Sequence, residues 1–424
     1  MINTSWLLNN KLSLYAIILL GTGFILVFTA QPVHSVYVFD YMWGSPGTGN
    51  GQFNATVDLV RDSSRNVFVV DALNNRIQKF HISNPCTAGT TQVVPGVCFV
   101  TKWGSLGSGD GQFKYPGGIA LDTSGNVYVA DSFNHRIQKF SNDGTFIRSW
   151  GKWGTGNGDF KTPTDVAVDH SGNVYVADEQ NHRIQKFGSS GAFLRSWGTL
   201  GTGQGQFNYP QDLDVDSSGN VFVCDSLNGR IQKFSGTGTF KTAWVEHGPA
   251  TGYGTFPYGI SVDSLGNVFV AFGFNNKVEK FTNDGTFVDS WGQQGTGNGQ
   301  FNFPNGIEVV TPVIALIKQY VFVSDQNNNR IQVFEWKPEV HPFRGPANNA
   351  IVGGPANNTI VGGPANNTIV GGPANNAIVK DIDNSTVIGA KVNNTIATNA
   401  TATKGISGLE NNSTTLNSTS NHTK

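Results

Sequence analysis

Carboxylates dominate the residues able to do chemistry. Asp58, Asp165 and Asp212 each stand two residues beyond the start of a short apolar run, at Thr56, Pro163 and Pro210, while Asp214 and Glu308 stand four residues beyond Pro210 and Pro304. Oxygen-only groups suit Ca²⁺ or Mg²⁺ if they converge; otherwise they line a water-filled passage and no cofactor is needed. The equivalent positions elsewhere are Gly118, Gly259, Gly306, Val60, Ala120, Ala167 and Ser261. No histidine joins the set, which removes a zinc centre or an imidazole base from these positions. Cys86 and Cys98 bracket a single insertion and form a candidate disulfide in an oxidising compartment, whereas Cys224, in VFVCD, reads as a small buried apolar residue.

A second set of charges repeats. Asp71 and Arg76, Asp131 and Arg136, Asp178 and Arg183, Asp225 and Arg230, and Asp325 and Arg330 all lie in copies of one stretch, DSFNHRIQKF at 131–140, with a worn sixth copy at 272–281. Arg136, Arg183, Arg230 and Lys277 are 47 residues apart, a period that marks a repeat architecture. A pair present in five copies of six serves the unit rather than one ligand, so these are read as structural pairs pinning a bend. His135 and His182, inside the bend, read as exposed loop residues. The Gly-rich loops such as GSGDGQF lack the following helix and lysine of a phosphate cradle; they let the chain cross between units.

The elements that position these residues follow from one unit, 104–150. Its loop leads into IALD, a turn TSGN, VYVAD, a bend, RIQKF, a turn SNDG and TFIRSW, which are four short antiparallel strands. Apolar residues on both sides of VYVAD require cover on both faces, as in the blade of a propeller. Trp103, Trp150, Trp197, Trp244 and Trp291 end the fourth strands, and the sixth unit has no such residue. Trp43 supplies it from the other end of the chain, so the predicted fold is an all-β, six-bladed β-propeller whose N-terminal strand closes the last blade.

The 53 glycines and 29 phenylalanines among 424 residues agree with short strands and tight turns, and a formal charge of −1 gives no general pull toward nucleic acid. Three regions result: a signal peptide or membrane anchor (1–35), the propeller (36–337), and a low-complexity tail (338–424) expected to be a disordered or extended stalk. Residues 12–29 are an uncharged apolar run, so the chain is read as extracytoplasmic, either secreted after cleavage near Ser35 or membrane-anchored by this segment. The tail repeats GPANNTIVG with period nine and carries candidate glycosylation sites at Asn357, Asn366, Asn384, Asn393, Asn399, Asn411, Asn412, Asn417 and Asn421.

The run P-x-G-I-A-x-D-x-x-G-N-V-Y-V-A-D-x-x-N-H-R-I-Q-K-F, at Pro116–Phe140, resembles the NHL repeat. The resemblance implies a six-bladed propeller in a family that mostly binds proteins, peptides, sugars or RNA, with some lyase relatives that hold a catalytic metal through histidines near the channel. Those histidines have no counterpart here. The expected function is a non-catalytic cell-surface scaffold for a protein or glycan; the alternative is a metal-dependent lyase or lactonase-like enzyme using the acidic channel. RNA binding would need a basic face that the chain lacks.

The fifth copy departs from the pattern in a correlated way. Phe272 replaces the aspartate, Lys277 the arginine, Phe274 enters the bend, and the incoming loop carries Glu246 and Tyr253. Together these residues are a candidate partner site, an apolar patch rimmed by Lys277 and Glu246.

Overall fold

The computed structural model describes residues 35–87, 89–247, 255–310 and 319–338, together with seven four-residue strands between 350 and 417. The strands Val127–Asp131, Val174–Asp178, Val221–Asp225 and Val268–Phe272 are buried at every position. Each lies second in a four-stranded antiparallel sheet, and six such sheets form the propeller Ser35–Lys337. Blade 2 is typical, with strands Pro116–Leu121, Val127–Asp131, Arg136–Phe140 and Phe146–Trp150 ordered from channel to rim. Blade 1 gains a fifth strand, Thr91–Val94, in the insertion that Cys86 and Cys98 close as a disulfide. Cys224 is buried with a free thiol.

Six apolar clusters fill the seams between neighbouring blades, and two of them close the ring. Ser35–Trp43 pairs with Arg330–Pro338 as the fourth strand of blade 6. Trp43 is 1% exposed, 5.7 Å from the ring of Phe80 in blade 1 and 6.4 Å from Phe322 in blade 6. At the other end of the strand Tyr37 stacks on Trp291 of blade 5 at 4.4 Å and receives a hydrogen bond from Lys280 Nζ at 3.0 Å. One strand therefore ties three blades together and completes blade 6 as a four-stranded sheet.

The recurring D-x-x-N-x-R-x-Q residues are explained by a single network per blade. In blade 2 the Asp131 carboxylate, fully buried, accepts from the Lys114 backbone N–H at 2.8 Å, from Asn134 Nδ2 at 3.1 and 3.0 Å, from Arg136 Nε at 2.8 Å and from Gln138 Nε2 at 3.0 Å. Arg136 and Gln138 then donate to carbonyls of the incoming Gly-rich loop, at Gly109 and Gln112. The same Asp–Arg contact is 2.6–2.7 Å in blades 1, 3, 4 and 6. The charges hold a loop that has almost no side chains of its own with which to hold itself.

A second unit comprises 1–34 and 338–424. Its described residues are short strands in two parallel ladders, in which Ala350 pairs with Thr368 and Thr368 with Thr386. Among the described strands of the nonapeptide repeats, successive repeats enter alternate ladders. The sequon asparagines lie outside the described residues except Asn417, which ends a tail strand. Among the described residues no helix is long and apolar enough to cross a membrane, and the run 12–29 lies outside them.

Candidate functional site

The innermost strands start at the mouth of the channel, and a register shift follows each opening Pro or Thr. Each innermost strand has a neighbour on one side only, so alternate backbone N–H groups along it face the channel edge. The carboxylates take them up from the neighbouring blade: Asp58 Oδ2 accepts from Ile119 N at 2.9 Å, Asp165 Oδ2 from Leu213 N at 3.0 Å and Asp212 Oδ2 from Ile260 N at 3.2 Å. Deeper in the channel Asp214 Oδ2 accepts from Val262 N at 2.7 Å, Ser261 Oγ from Val309 N at 3.1 Å and Glu308 Oε1 from Arg61 N at 3.4 Å. The acidic residues read as a possible metal set are therefore clamps between blades.

Their electrostatics agree with that role. Burial pushes Asp165 up to about 6 and Asp214 up to about 7, and it raises Asp58 and Asp212 as well, with the Asp165 charge adding to both. The carboxyls of Asp165 and Asp212 lie close enough for each to perturb the other, and burial is the larger cause of both upward shifts. Asp165 Oδ1 occupies the space above Gly118, where a Cβ would fall 1.7 Å from it, and Asp58 Oδ1 crowds Gly306 in the same way at 2.4 Å. Glycine at these two positions is what admits the neighbouring carboxyl groups. One oxygen each of Asp58, Asp165, Asp212 and Asp214 is committed to a backbone N–H of the next blade, which leaves at most half of this oxygen set for any cation. No cluster of three or more His, Cys, Asp or Glu among the described residues is arranged to hold a metal ion.

Above these carboxyls opens a bowl of about 430 Å³. Asp58, Asp165 and Asp212 form its floor; Tyr115, Phe133, Tyr258 and Phe303 supply rings to its wall, and Gln180, Gln211, Asn305 and Gln326 supply amides. Phe133 stacks on Tyr115 at 5.2 Å, and Tyr258 meets Phe303 at 4.7 Å. Glu179 adds a fourth carboxyl, pushed up to about 7 by burial and hydrogen-bonded to Gln211 Nε2. These wall residues fall where the repeats differ from one another, so a search for recurring residues passes over them.

The structure redraws the blade 5 patch. Phe272 is fully buried in the seam with blade 4, beside Phe222 and Cys224, and is not a surface group. Replacing it by Ser would damage the core rather than leave folding intact. Lys277 and Glu246 are not a free rim: Lys277 Nζ lies 2.6 Å from Glu246 and 2.8 Å from Glu279, and Asn275 donates to Glu246. Two glutamates thus replace the missing aspartate of this blade. Phe274 is 46% exposed and packs on Tyr258 and Phe303 at 5.8 and 5.1 Å, which joins it to the bowl wall. Tyr253 lies outside the described residues.

The family model for the NHL repeat matches residues 113–140, 160–187 and 207–234, and these are the hub-bearing segments of blades 2, 3 and 4. This chain is an NHL-repeat propeller. A β-propeller repeat model also matches 248–271 of the NHL propeller. Mouse (Mus musculus) NHL repeat-containing protein 3 is 32% identical over 107 residues, 24% of this chain and 26% of that protein. The B-box type zinc finger protein ncl-1 of Caenorhabditis elegans is 47% identical over 45 residues, 11% of this chain and 5% of its own length. The NHL propeller therefore spans only a small part of these relatives. Among solved structures, a protein of unknown function from Bacteroides thetaiotaomicron superposes with a TM-score of 0.51 at 15% identity, covering 72% of this chain and 76% of that one. Virginiamycin B lyase from Staphylococcus aureus gives 0.46 at 13% identity, covering 72% and 98%.

Proposed function

We propose that this NHL propeller is a non-catalytic binding scaffold, exported and held at or near the cell surface, that takes a protein or glycan in the bowl. The composition of the wall supports this most: four carboxyls stand among aromatic rings and amides, with no lysine, arginine or histidine among the described lining residues. Such a wall offers stacking faces and hydrogen-bonding groups to a neutral sugar or an amine-bearing peptide and repels phosphate. The disulfide Cys86–Cys98 and the apolar run 12–29 support export. The test is capture by the full chain from panels of neutral glycans, amine-bearing peptides and RNA. Tyr258→Ala and Gln211→Ala should weaken capture of one of the first two classes at least tenfold with unfolding unchanged. Equal capture by the variants would remove the bowl as the site, and capture of RNA alone would overturn the class. The alternative, a metal-dependent lyase or lactonase-like enzyme using the acidic channel, gains from the structure one residue the sequence reading did not include, Glu179, which lines the bowl beside Gln211 and whose raised pKa suits proton transfer near neutrality. Turnover of a lactone that is lost in Glu179→Gln would favour it.

A further inference from the structure

Each bend ends on a left-handed residue, and in five of the six blades the side chain at that position reaches across to the next blade. Asn75 Oδ1 accepts from Tyr115 N at 2.9 Å, Asn276 Oδ1 from Phe303 N at 2.9 Å and Asn329 Oδ1 from Ala55 N at 2.8 Å. At two seams the same latch is a histidine: His135 Nδ1 accepts from Thr162 N at 3.1 Å and His182 Nδ1 from Tyr209 N at 3.2 Å. The donor is a backbone N–H, so Nδ1 must be unprotonated and the ring proton must sit on Nε2. An amide oxygen accepts at any pH. An imidazole nitrogen accepts only while it is neutral.

The seam between blades 2 and 3 depends on its latch more than the others do. Its channel positions are Gly118 and Ala120, so no carboxylate clamp crosses there. Among the described residues the side-chain hydrogen bonds that cross it are the one to His135 and the one from Arg148 to the Ser190 carbonyl, at the exposed outer edge. The seam of blades 3 and 4 has further links, from Asp165 to Leu213 N, from Thr164 Oγ1 to the Pro210 carbonyl and from Lys186 to the Gly236 carbonyl. Thr162, Thr164 and Asp165 line the bowl, so the His135 latch holds part of its wall.

We propose that His135 and His182 are acid-sensitive latches, and that protonation releases the bowl wall at these seams, first between blades 2 and 3. Protonation turns an acceptor into a donor that faces another donor, so the contact changes from attraction to repulsion. Burial lowers the proton affinity of both rings. Lys114 adds to this at His135, while Asp131 and Asp178 oppose it there and Asp225 and Asp178 oppose it at His182. The Tyr209 ring stands edge-on to His182 at 5.0 Å. A lowered value means that the latch contributes fully above the ordinary imidazole value of about 6.5 and is lost as pH falls through the folded value. This device stands whether or not the bowl takes a ligand.

The experiment is residue-resolved amide exchange on the full chain at pH 7.5 and pH 5, with Tyr115 and Phe303, latched by asparagine, as internal references. Protection at Thr162 and Tyr209 should fall relative to the references on acidification, by up to roughly tenfold at the part-buried Thr162 bond and by less at the exposed Tyr209 bond, as expected for loss of one hydrogen bond. The double variant His135→Asn and His182→Asn copies the residue used by three other blades; it should keep protection at both pH values. Protection at Thr162 and Tyr209 that tracks the references in the native chain, or that still falls in the double variant, would overturn the latch.

Discussion

Truncating one hub carboxylate, Asp131→Ala, tests the account of why the repeat is written as it is. The carboxylate is fully buried and Arg136 is 12% exposed at its side chain, so water cannot replace the lost partner. The variant would leave the Lys114 N–H, the Asn134 and Gln138 amides and the Arg136 guanidinium short of their acceptor. Breaking a buried ion pair from one side costs about 3–5 kcal/mol. For a propeller of roughly 300 residues this is a fall in melting temperature of about 6–10 °C, taking the low end of the shift per kcal/mol found for large domains. Denaturant and thermal unfolding followed by tryptophan fluorescence would report it. Asp110→Ala, at an exposed position of the Gly-rich loop, is the matched control and should leave the unfolding transition unchanged. A cost below about 1 kcal/mol for Asp131→Ala would refute the hub, because the loop would then be held by something other than this network.

Two further outcomes follow from the channel and the closing strand. The channel carboxyls are raised, Asp165 up to about 6 and Asp214 up to about 7, so the folded state holds more protons than the unfolded one between about pH 4 and pH 7, and stability should fall as pH rises through that window. Asp212→Asn keeps an acceptor for Ile260 N and removes one raised carboxyl, and it should flatten that slope; an unchanged slope, measured in the His135→Asn and His182→Asn background to remove the opposing imidazole effect, would count against burial of these carboxyls as its source. Trp43→Ala should cost about 3–5 kcal/mol, as for other fully buried large aromatics, and expose 35–43 to protease; a loss under about 1 kcal/mol would mean that the ring is closed by other contacts.

The fold was legible because the repeat period, the turn residues and the displaced tryptophan all point to one closed arrangement. Placement of Trp43 beside blade 6 needed only a count of which unit lacked its tryptophan. The site was legible in part. Asp58, Asp165 and Asp212 do gather at the mouth, but sequence cannot show that edge N–H groups of the next blade come within their reach. Phe272 was misread because an apolar residue at the aspartate position was assigned to the surface, where the position is in fact a buried strand end; its ring is tolerated since Glu246 and Glu279, from a loop and the next strand, carry the Lys277 charge. His135 and His182 looked like exposed loop residues because their partners, Thr162 and Tyr209, lie 27 residues away in another blade.

Closure by Ser35–Trp43 also sets a timetable. Its partner strand begins at Arg330, about 290 residues later in the chain. At roughly 5–20 residues per second, a newly made Trp43 waits some 15–60 seconds before its own partner exists. During that wait the strand, with Tyr37, Tyr41 and Trp43 uncovered, meets completed rims on neighbouring molecules only if they too lack their first strand. Crowded synthesis therefore favours exchange of this one strand between copies, while dilute synthesis returns it to the chain that made it.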